Sequence, residues 1–191
     1  MKHIALAAVL LAAAFGAAAD PETYTIDNNH TFPAYEISHM GFSVQRGRFD
    51  RTSGKVVLDL IAHTGVVDVS IDTSSIDTGI PKLNDHLKSE DFFNVAKFPA
   101  ITFHAKDLDW DGDRVKRASG ELTLLGVTKP VTFEMNHFKC GTNLMLSRHV
   151  CGADMVAHIK RSDFGMDKYV TGGIVGDDVT LRVGAEALGE R

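Results

Sequence analysis

The chain has 191 residues, of which 44% are hydrophobic and 24% are charged, and its formal charge is −5 at pH 7. Acidic and basic residues are interspersed and no Lys/Arg tract occurs, which argues against nucleic acid as a partner. A chain of this length buries about 70% of the surface that its unfolded form exposes, so we expect one domain that needs no metal to fold.

The N-terminus has the composition of a secretory signal peptide. Lys2 and His3 precede an apolar run over residues 4–15, and three alanines at 17–19 give the small-residue pattern that a signal peptidase cleaves. The run is shorter than the roughly 20 apolar residues of a transmembrane helix. A buried N-terminal helix is the alternative, but nothing in the run is polar enough to face water. We therefore expect a signal peptide over residues 1–19, cleavage after Ala19 and a periplasmic domain over residues 20–191 that does not span a membrane.

The body of the chain repeats with a period of two residues, which is typical of strands with one buried face. Apolar and polar side chains alternate in eight segments, at residues 34–39, 55–60, 67–72, 101–106, 120–124, 131–135, 153–160 and 179–186. Asp111 and Gly112 mark a hairpin, and the segment from Gly126 to Pro130 marks another reversal in which Pro130 can open the next strand. This pattern predicts an all-β, antiparallel sheet that is either closed into a barrel or folded into a sandwich.

One segment, residues 81–94, departs from the alternation. Leu83 and Leu87 are spaced by one helical turn, and Pro81 suits a first helical turn. The segment ends in an aromatic pair, Phe92 and Phe93. We expect one or two helical turns that either cover an opening of the sheet or plug its core, and the pattern does not separate these alternatives.

The inward side chains of the predicted strands are small for a barrel of eight strands, which lies at the boundary between a filled interior and a ligand cavity. Many are alanine or valine, including Val67, Val69, Ala105, Ala153, Ala157, Val179 and Val183. Because these small side chains leave part of the barrel interior unfilled, they predict an apolar cavity. His39 shares the face of Tyr35 and Ile37, so its ring is expected to meet either a ligand oxygen or a backbone carbonyl.

The only two cysteines are Cys140 and Cys151. In an exported protein such a pair favours a disulfide bond, and a metal site that includes His137 or His149 is the alternative. No histidines stand at H-x-H or H-x-x-x-H spacing, so we expect no metal site elsewhere.

An ordered set of motifs resembles one family over nearly all of residues 24–191. The set begins with Tyr24-Thr25-Ile26-Asp27 and His30-Thr31, and continues through residues 85–94 (DHLKSEDFFN), 120–131 (GELTLLGVTKPV) and 161–166 (RSDFGM). It resembles the YceI family of polyisoprenoid-binding, lipocalin-like periplasmic proteins. The resemblance implies an antiparallel, eight-stranded extended lipocalin-like barrel with a short helical insertion near its opening and an isoprenoid chain in the lumen.

This interpretation gives two alternative functions. The first is a carrier that holds an isoprenoid or quinone-like amphiphile and requires no cofactor, and the second is an enzyme or redox accessory that acts on such a lipid. A lumen of carbon alone favours the carrier, whereas an inward polar cluster favours the enzyme, for which the sequence offers no catalytic motif. The oligomeric state, monomer or homodimer, stays open. The candidate ligand contacts are Tyr35, Ile37, His39, Phe42, Phe49, Val67, Val69, Leu87, Phe92, Phe93, Phe103, Met155 and Phe164.

Overall fold

Eleven strands and one α-helix make up the chain in a computed structural model that describes residues 20–190. The signal peptide expected over residues 1–19 lies outside these described residues. The strands are β1 (Glu22–Ile26), β2 (Phe32–His39), β3 (Ser43–Phe49), β4 (Thr52–Asp59), β5 (Thr64–Asp72), β6 (Ile76–Asp77), β7 (Ala100–Asp111), β8 (Arg114–Leu124), β9 (Val127–Asn143), β10 (Arg148–Lys160) and β11 (Val175–Gly189). The helix α1 spans Pro81–Lys88, and 3-10 helices span Thr73–Ser75 and Arg161–Phe164.

All strand pairings are antiparallel, and eight strands close a ring in the order β1-β4-β5-β7-β8-β9-β10-β11, with β11 returning to β1. The remaining three extend this ring at one end, because β2 pairs with β11, β3 with β2, and β6 with β3. The all-β, eight-stranded barrel with a short helical insertion is therefore confirmed, and the sandwich alternative is wrong.

The eight predicted segments lie in strands except for Leu60, which directly follows β4. Asp111 and Gly112 do form the β7–β8 turn, where Gly112 has φ 58°. Pro130 does not open a strand, because β9 already begins at Val127 and Pro130 pairs with Glu121. On its other side β9 pairs with β10 only as far as Glu134, so Pro130 has one partner strand and its missing N–H is tolerated.

The connections divide the barrel into two ends, which we call the mouth and the base. The mouth carries the β2–β3 turn, α1, the β8–β9 turn and the loop before β11, and the base carries the turns that follow β4, β7 and β9. Pro81 occupies the first turn of α1, as expected for a residue without an N–H. No helix within residues 20–190 is long and apolar enough to cross a bilayer.

The core has two parts. Near the base, a small buried cluster of Tyr24, Leu58, Cys151 and Ala187 fills the barrel. Nearer the mouth, a larger cluster includes Phe92 and Phe93, which follow α1, together with residues of β3 and β6–β10. The disulfide predicted from sequence joins Cys140 and Cys151, which lie directly opposite each other on β9 and β10.

Candidate functional site

A cavity of about 610 Å³ lies inside the barrel and is lined by side chains of both core clusters. Volumes of 300–1,000 Å³ are typical of small-molecule sites. Inward positions of several strands hold small side chains, such as Val67 and Val69 on β5 and Ala118 on β8. The space exists because these residues are too small to fill a barrel of eight strands.

Most of the candidate contacts line this cavity. Eleven of the thirteen do so, namely Tyr35, Ile37, His39, Phe49, Val67, Val69, Leu87, Phe92, Phe93, Phe103 and Met155. Contact of these residues with a ligand stays a prediction.

Two candidates, Phe42 and Phe164, do not line the cavity. Phe42 lies in the β2–β3 turn with 86% of its surface exposed. Phe164 ends the second 3-10 helix and is only 2% exposed, packed in the larger core cluster. Contact of these two residues with a ligand also stays a prediction. Neither lies in a strand, where alternation would fix the direction of its side chain.

The exposed lining residues show that the cavity opens at the mouth. His39, Gln45, Arg46 and His86 all line it and are all exposed, whereas the lining residues at the base are buried or half-buried. His39 therefore faces solvent at the opening and does not depend on a buried partner. Arg46 donates to Glu36 Oε1 at 2.9 Å, and this hydrogen bond lowers the pKa of Glu36.

Tyr35 places a phenol in the cavity wall beside Gly47, its register partner on β3. A Cβ at position 47 would lie 2.6 Å from the Tyr35 hydroxyl and 2.7 Å from the ring, so only glycine leaves room for this ring. Burial raises the pKa of Tyr35 to about 12, and the phenol is therefore neutral at physiological pH.

Aromatic side chains form much of the upper wall. Phe93 meets Phe49 edge to face with ring centroids 5.3 Å apart, and His86 meets Phe92 in the same way at 4.9 Å. Phe92 and Phe93 are buried, and with Leu87 they connect the helical segment to the barrel strands. The segment thus both lines the mouth side of the cavity and contributes to the core.

A buried arginine that the sequence analysis did not single out also borders the cavity. Arg161 is 3% exposed, and its guanidinium donates to the backbone oxygens of Gly176 (2.7 Å), Met166 (3.0 Å), Lys168 (2.7 Å) and Val175 (3.2 Å). Burial lowers the pKa of Arg161. The side chain holds the loop between the 3-10 helix and β11 against the barrel.

A second polar cluster that sequence reasoning missed lies at the base. The hydroxyl of the fully buried Tyr24 donates to Glu22 Oε2 at 2.7 Å and lies 2.7 Å from His149 Nδ1. Burial, together with the Glu22 carboxylate, raises the pKa of Tyr24 well above its usual range. None of the three residues lines the cavity, so this cluster does not meet a ligand there.

Metal-ligating atoms come together at one place in the described chain. Asp27, His30 and Glu186 bring ligand atoms within 4.8 Å of one another. His30 Nδ1 already lies 2.7 Å from Asp27 Oδ2, and this hydrogen bond lowers the pKa of Asp27 and raises that of His30. The internal pairing explains the geometry without a cation.

A closed antiparallel barrel around one apolar cavity defines the lipocalin-like class of binding barrels. Within that class, the family model described as "YceI-like domain" matches residues 24–187, and the chain belongs to this family. The resemblance inferred from the motifs is confirmed.

Named relatives agree with this assignment. Protein YceI of Escherichia coli is 32% identical over 191 residues, which cover 98% of this chain and 96% of that protein. The crystal structure of a Campylobacter jejuni YceI protein superposes with a TM-score of 0.68 at 26% identity, over 81% of this chain and 91% of that chain.

A polyisoprenoid binding domain from Saccharophagus degradans shares the fold. It has a TM-score of 0.64 and 17% identity, over 87% of this chain and 98% of that chain. The barrel is thus related in fold to a domain that binds polyisoprenoids.

Proposed function

We propose that the protein is a periplasmic carrier that holds the hydrocarbon chain of an isoprenoid or quinone-like amphiphile in its barrel. The observation that carries the proposal is the apolar cavity of about 610 Å³, whose mouth is bordered by polar and aromatic side chains. The fold of the polyisoprenoid binding domain of S. degradans supports the same class of ligand.

The cavity volume indicates how much of a ligand it holds. An engineered cavity of about 150 Å³ binds benzene, so a space of 610 Å³ accommodates on the order of 20 to 25 carbon atoms. This corresponds to several isoprene units. A longer chain would extend through the mouth.

Export is part of the proposal, and the disulfide supports it, because such bonds persist in oxidising compartments. We expect the protein isolated from the periplasm to begin at Asp20 and to contain no free thiol. Intact mass with and without reduction and alkylation measures both properties. A chain that retains residues 1–19, or one that alkylates without reduction, would contradict this part.

The ligand is best tested by mass spectrometry of lipids extracted from the purified protein. We expect one isoprenoid or quinone-like species in near-stoichiometric amount. The matched control is Val69→Trp, which places an indole in the cavity and should carry far less of the same species. Equal amounts in both proteins, or only fatty acids from the medium, would argue against the carrier.

The alternative, an enzyme or redox accessory, needs a reactive polar group at the ligand. The hydrogen-bonded Tyr24 cluster lies outside the cavity lining, and the Tyr35, His39 and His86 side chains that do line the cavity make no hydrogen bond to one another in the described chain. The carrier therefore fits the geometry better.

A further inference from the structure

The strongest unexplained feature is an exposed apolar surface beside the mouth, formed by residues 38–44 and 169–176, which we call the lip. The two segments are joined by a hydrogen bond in which Met40 N–H donates to Ile174 O at 2.9 Å. Phe42 is 86% exposed, and Met40, Val44, Tyr169 and Ile174 are exposed as well. Apolar patches of this kind mark protein or membrane interaction sites.

The lip is continuous with the cavity. Tyr169 and Ile174 belong to the exposed lip and also line the cavity, and His39 does the same on the other segment. A molecule that leaves the cavity through the mouth therefore passes directly over the lip. A rigid protein partner seated on the lip would close this exit, whereas a fluid apolar phase would continue it.

The lip is uncharged, as is the exposed apolar turn at residues 141–147 of the base, but only the lip borders the cavity. Neither segment contains an Asp, Glu, Lys or Arg, although 24% of the chain is charged. Charges of both signs border the segments, because Arg46 lies two positions after Val44 and Lys168 directly before Tyr169, whereas Asp177 directly follows Gly176. Lys168 Nζ lies 5.6 Å from the centre of the Tyr169 ring.

We propose that the lip docks on a phospholipid bilayer, with Phe42 inserted among the acyl chains and the mouth facing the membrane. Aromatic side chains flanked by Lys and Arg are typical of the membrane interface, where the cations meet lipid phosphates. The inference rests on the proposed function, because it names the surface from which the amphiphile is loaded. It also assigns a role to Phe42 other than the ligand contact predicted from sequence.

The first experiment measures the orientation of the docked protein. Phe42→Trp and Met145→Trp are compared in lipid-free protein, since Met145 is 95% exposed at the opposite end of the barrel. Vesicles of brominated phosphatidylcholine should quench the added tryptophan at position 42 and leave that at position 145 unquenched, with Trp110 as the background common to both. Equal quenching at both positions, or none at position 42, would overturn the proposal.

The second experiment measures the strength of docking by flotation with phosphatidylcholine vesicles. Removing a buried Phe side chain changes a partition equilibrium by roughly ten- to hundredfold. We therefore expect Phe42→Ser to weaken vesicle binding at least about tenfold, and Met145→Ser to leave it unchanged. Equal binding by both variants would refute the insertion of Phe42.

A second copy of the chain is the competing occupant of the lip. Light scattering of the lipid-free protein decides this point, because a dimer that Phe42→Ser dissociates would place another protomer on the lip and overturn the bilayer. Both docking measurements use empty protein and read vesicle contact only. Docking can therefore hold where extraction finds no isoprenoid, and extraction can succeed where docking fails.

Discussion

A large side chain introduced into the cavity would show whether the lumen is a ligand site or an ordinary packed core. Val69 is the position best suited to this test. Val69 lies on β5 between Gly54 of β4 and Phe103 of β7, and its side chain lines the cavity. Val69→Trp adds a ring system to the lumen. If the lumen holds lipid, the indole occupies space that the lipid would use, and the protein folds but does not bind.

The expected magnitudes follow from the volume of the cavity. A benzene-sized ring needs about 150 Å³, roughly a quarter of the 610 Å³ that is present. The melting temperature of the lipid-free variant should therefore stay close to that of wild type. In a filled core, by contrast, overpacking costs about 1–3 kcal/mol, which lowers the melting temperature of a domain of this size by about 2–12 °C.

The assay is thermal melting of lipid-free and ligand-saturated protein. Ligand at about 100 times its Kd stabilises wild type by about 2.7 kcal/mol, or roughly 5–11 °C, and Val69→Trp should lose this increment. Val66→Trp, the same substitution at a position of β5 outside the cavity lining, is the control that keeps the ligand response. A lipid-free Val69→Trp that melts far below wild type, with Val66→Trp normal, would refute the cavity.

Further predictions concern the cavity wall. Gly47→Ala should lower the free energy of unfolding by about 1–3 kcal/mol, because the new Cβ meets the Tyr35 ring. Denaturant titration should show a much smaller loss when the same substitution is made in a Tyr35→Leu protein. An equal loss in both proteins would contradict the contact. The pKa of Tyr35 is about 12 in the folded protein and about 10 in the unfolded chain. The stability that this phenol contributes is therefore complete below pH 10 and is lost as pH rises through 12. Wild type should lose unfolding free energy over this range faster than Tyr35→Phe, and parallel curves would be inconsistent with a buried phenol. Phe92→Leu and Phe93→Leu should each speed the release of a fluorescent polyprenyl probe several-fold. Phe98→Leu, at a position outside the cavity lining, is the control. Unchanged off-rates would mean that Phe92 and Phe93 only fill the core.

The strands could be predicted from sequence because alternation is a local pattern, but their interruptions could not. Between β5 and β6 the chain turns through a 3-10 helix in which Asp72 accepts a hydrogen bond from Ser74 N–H. Between β1 and β2, Thr31 replaces ladder contacts by bonding both the N–H and the C=O of Glu186. These bonds join residues far apart in sequence or use common polar side chains, so they leave no periodic signal.

Most of the predicted cavity residues followed from the same alternation, because one face of each strand must be apolar. Leu87, Phe92 and Phe93 followed instead from the helical segment, which lies outside the strands. Alternation gave no side-chain direction for Phe42 and Phe164, which lie in a turn and a 3-10 helix and do not line the cavity. The alternation pattern also could not identify Arg161, because its hydrogen-bond partners are backbone oxygens, which every residue has. Whether an arginine such as Arg161 is buried depends on the tertiary structure that brings backbone oxygens around its guanidinium.

The way Arg161 is held has a consequence for how this family can vary. Its guanidinium contacts the main chain at positions 166, 168, 175 and 176 and touches none of their side chains in these bonds. The side chains of the loop can therefore be exchanged without disturbing the bonds that fix its path. Arg161 thus fixes the backbone of this loop at the mouth of the barrel, while the side chains that the loop exposes can differ.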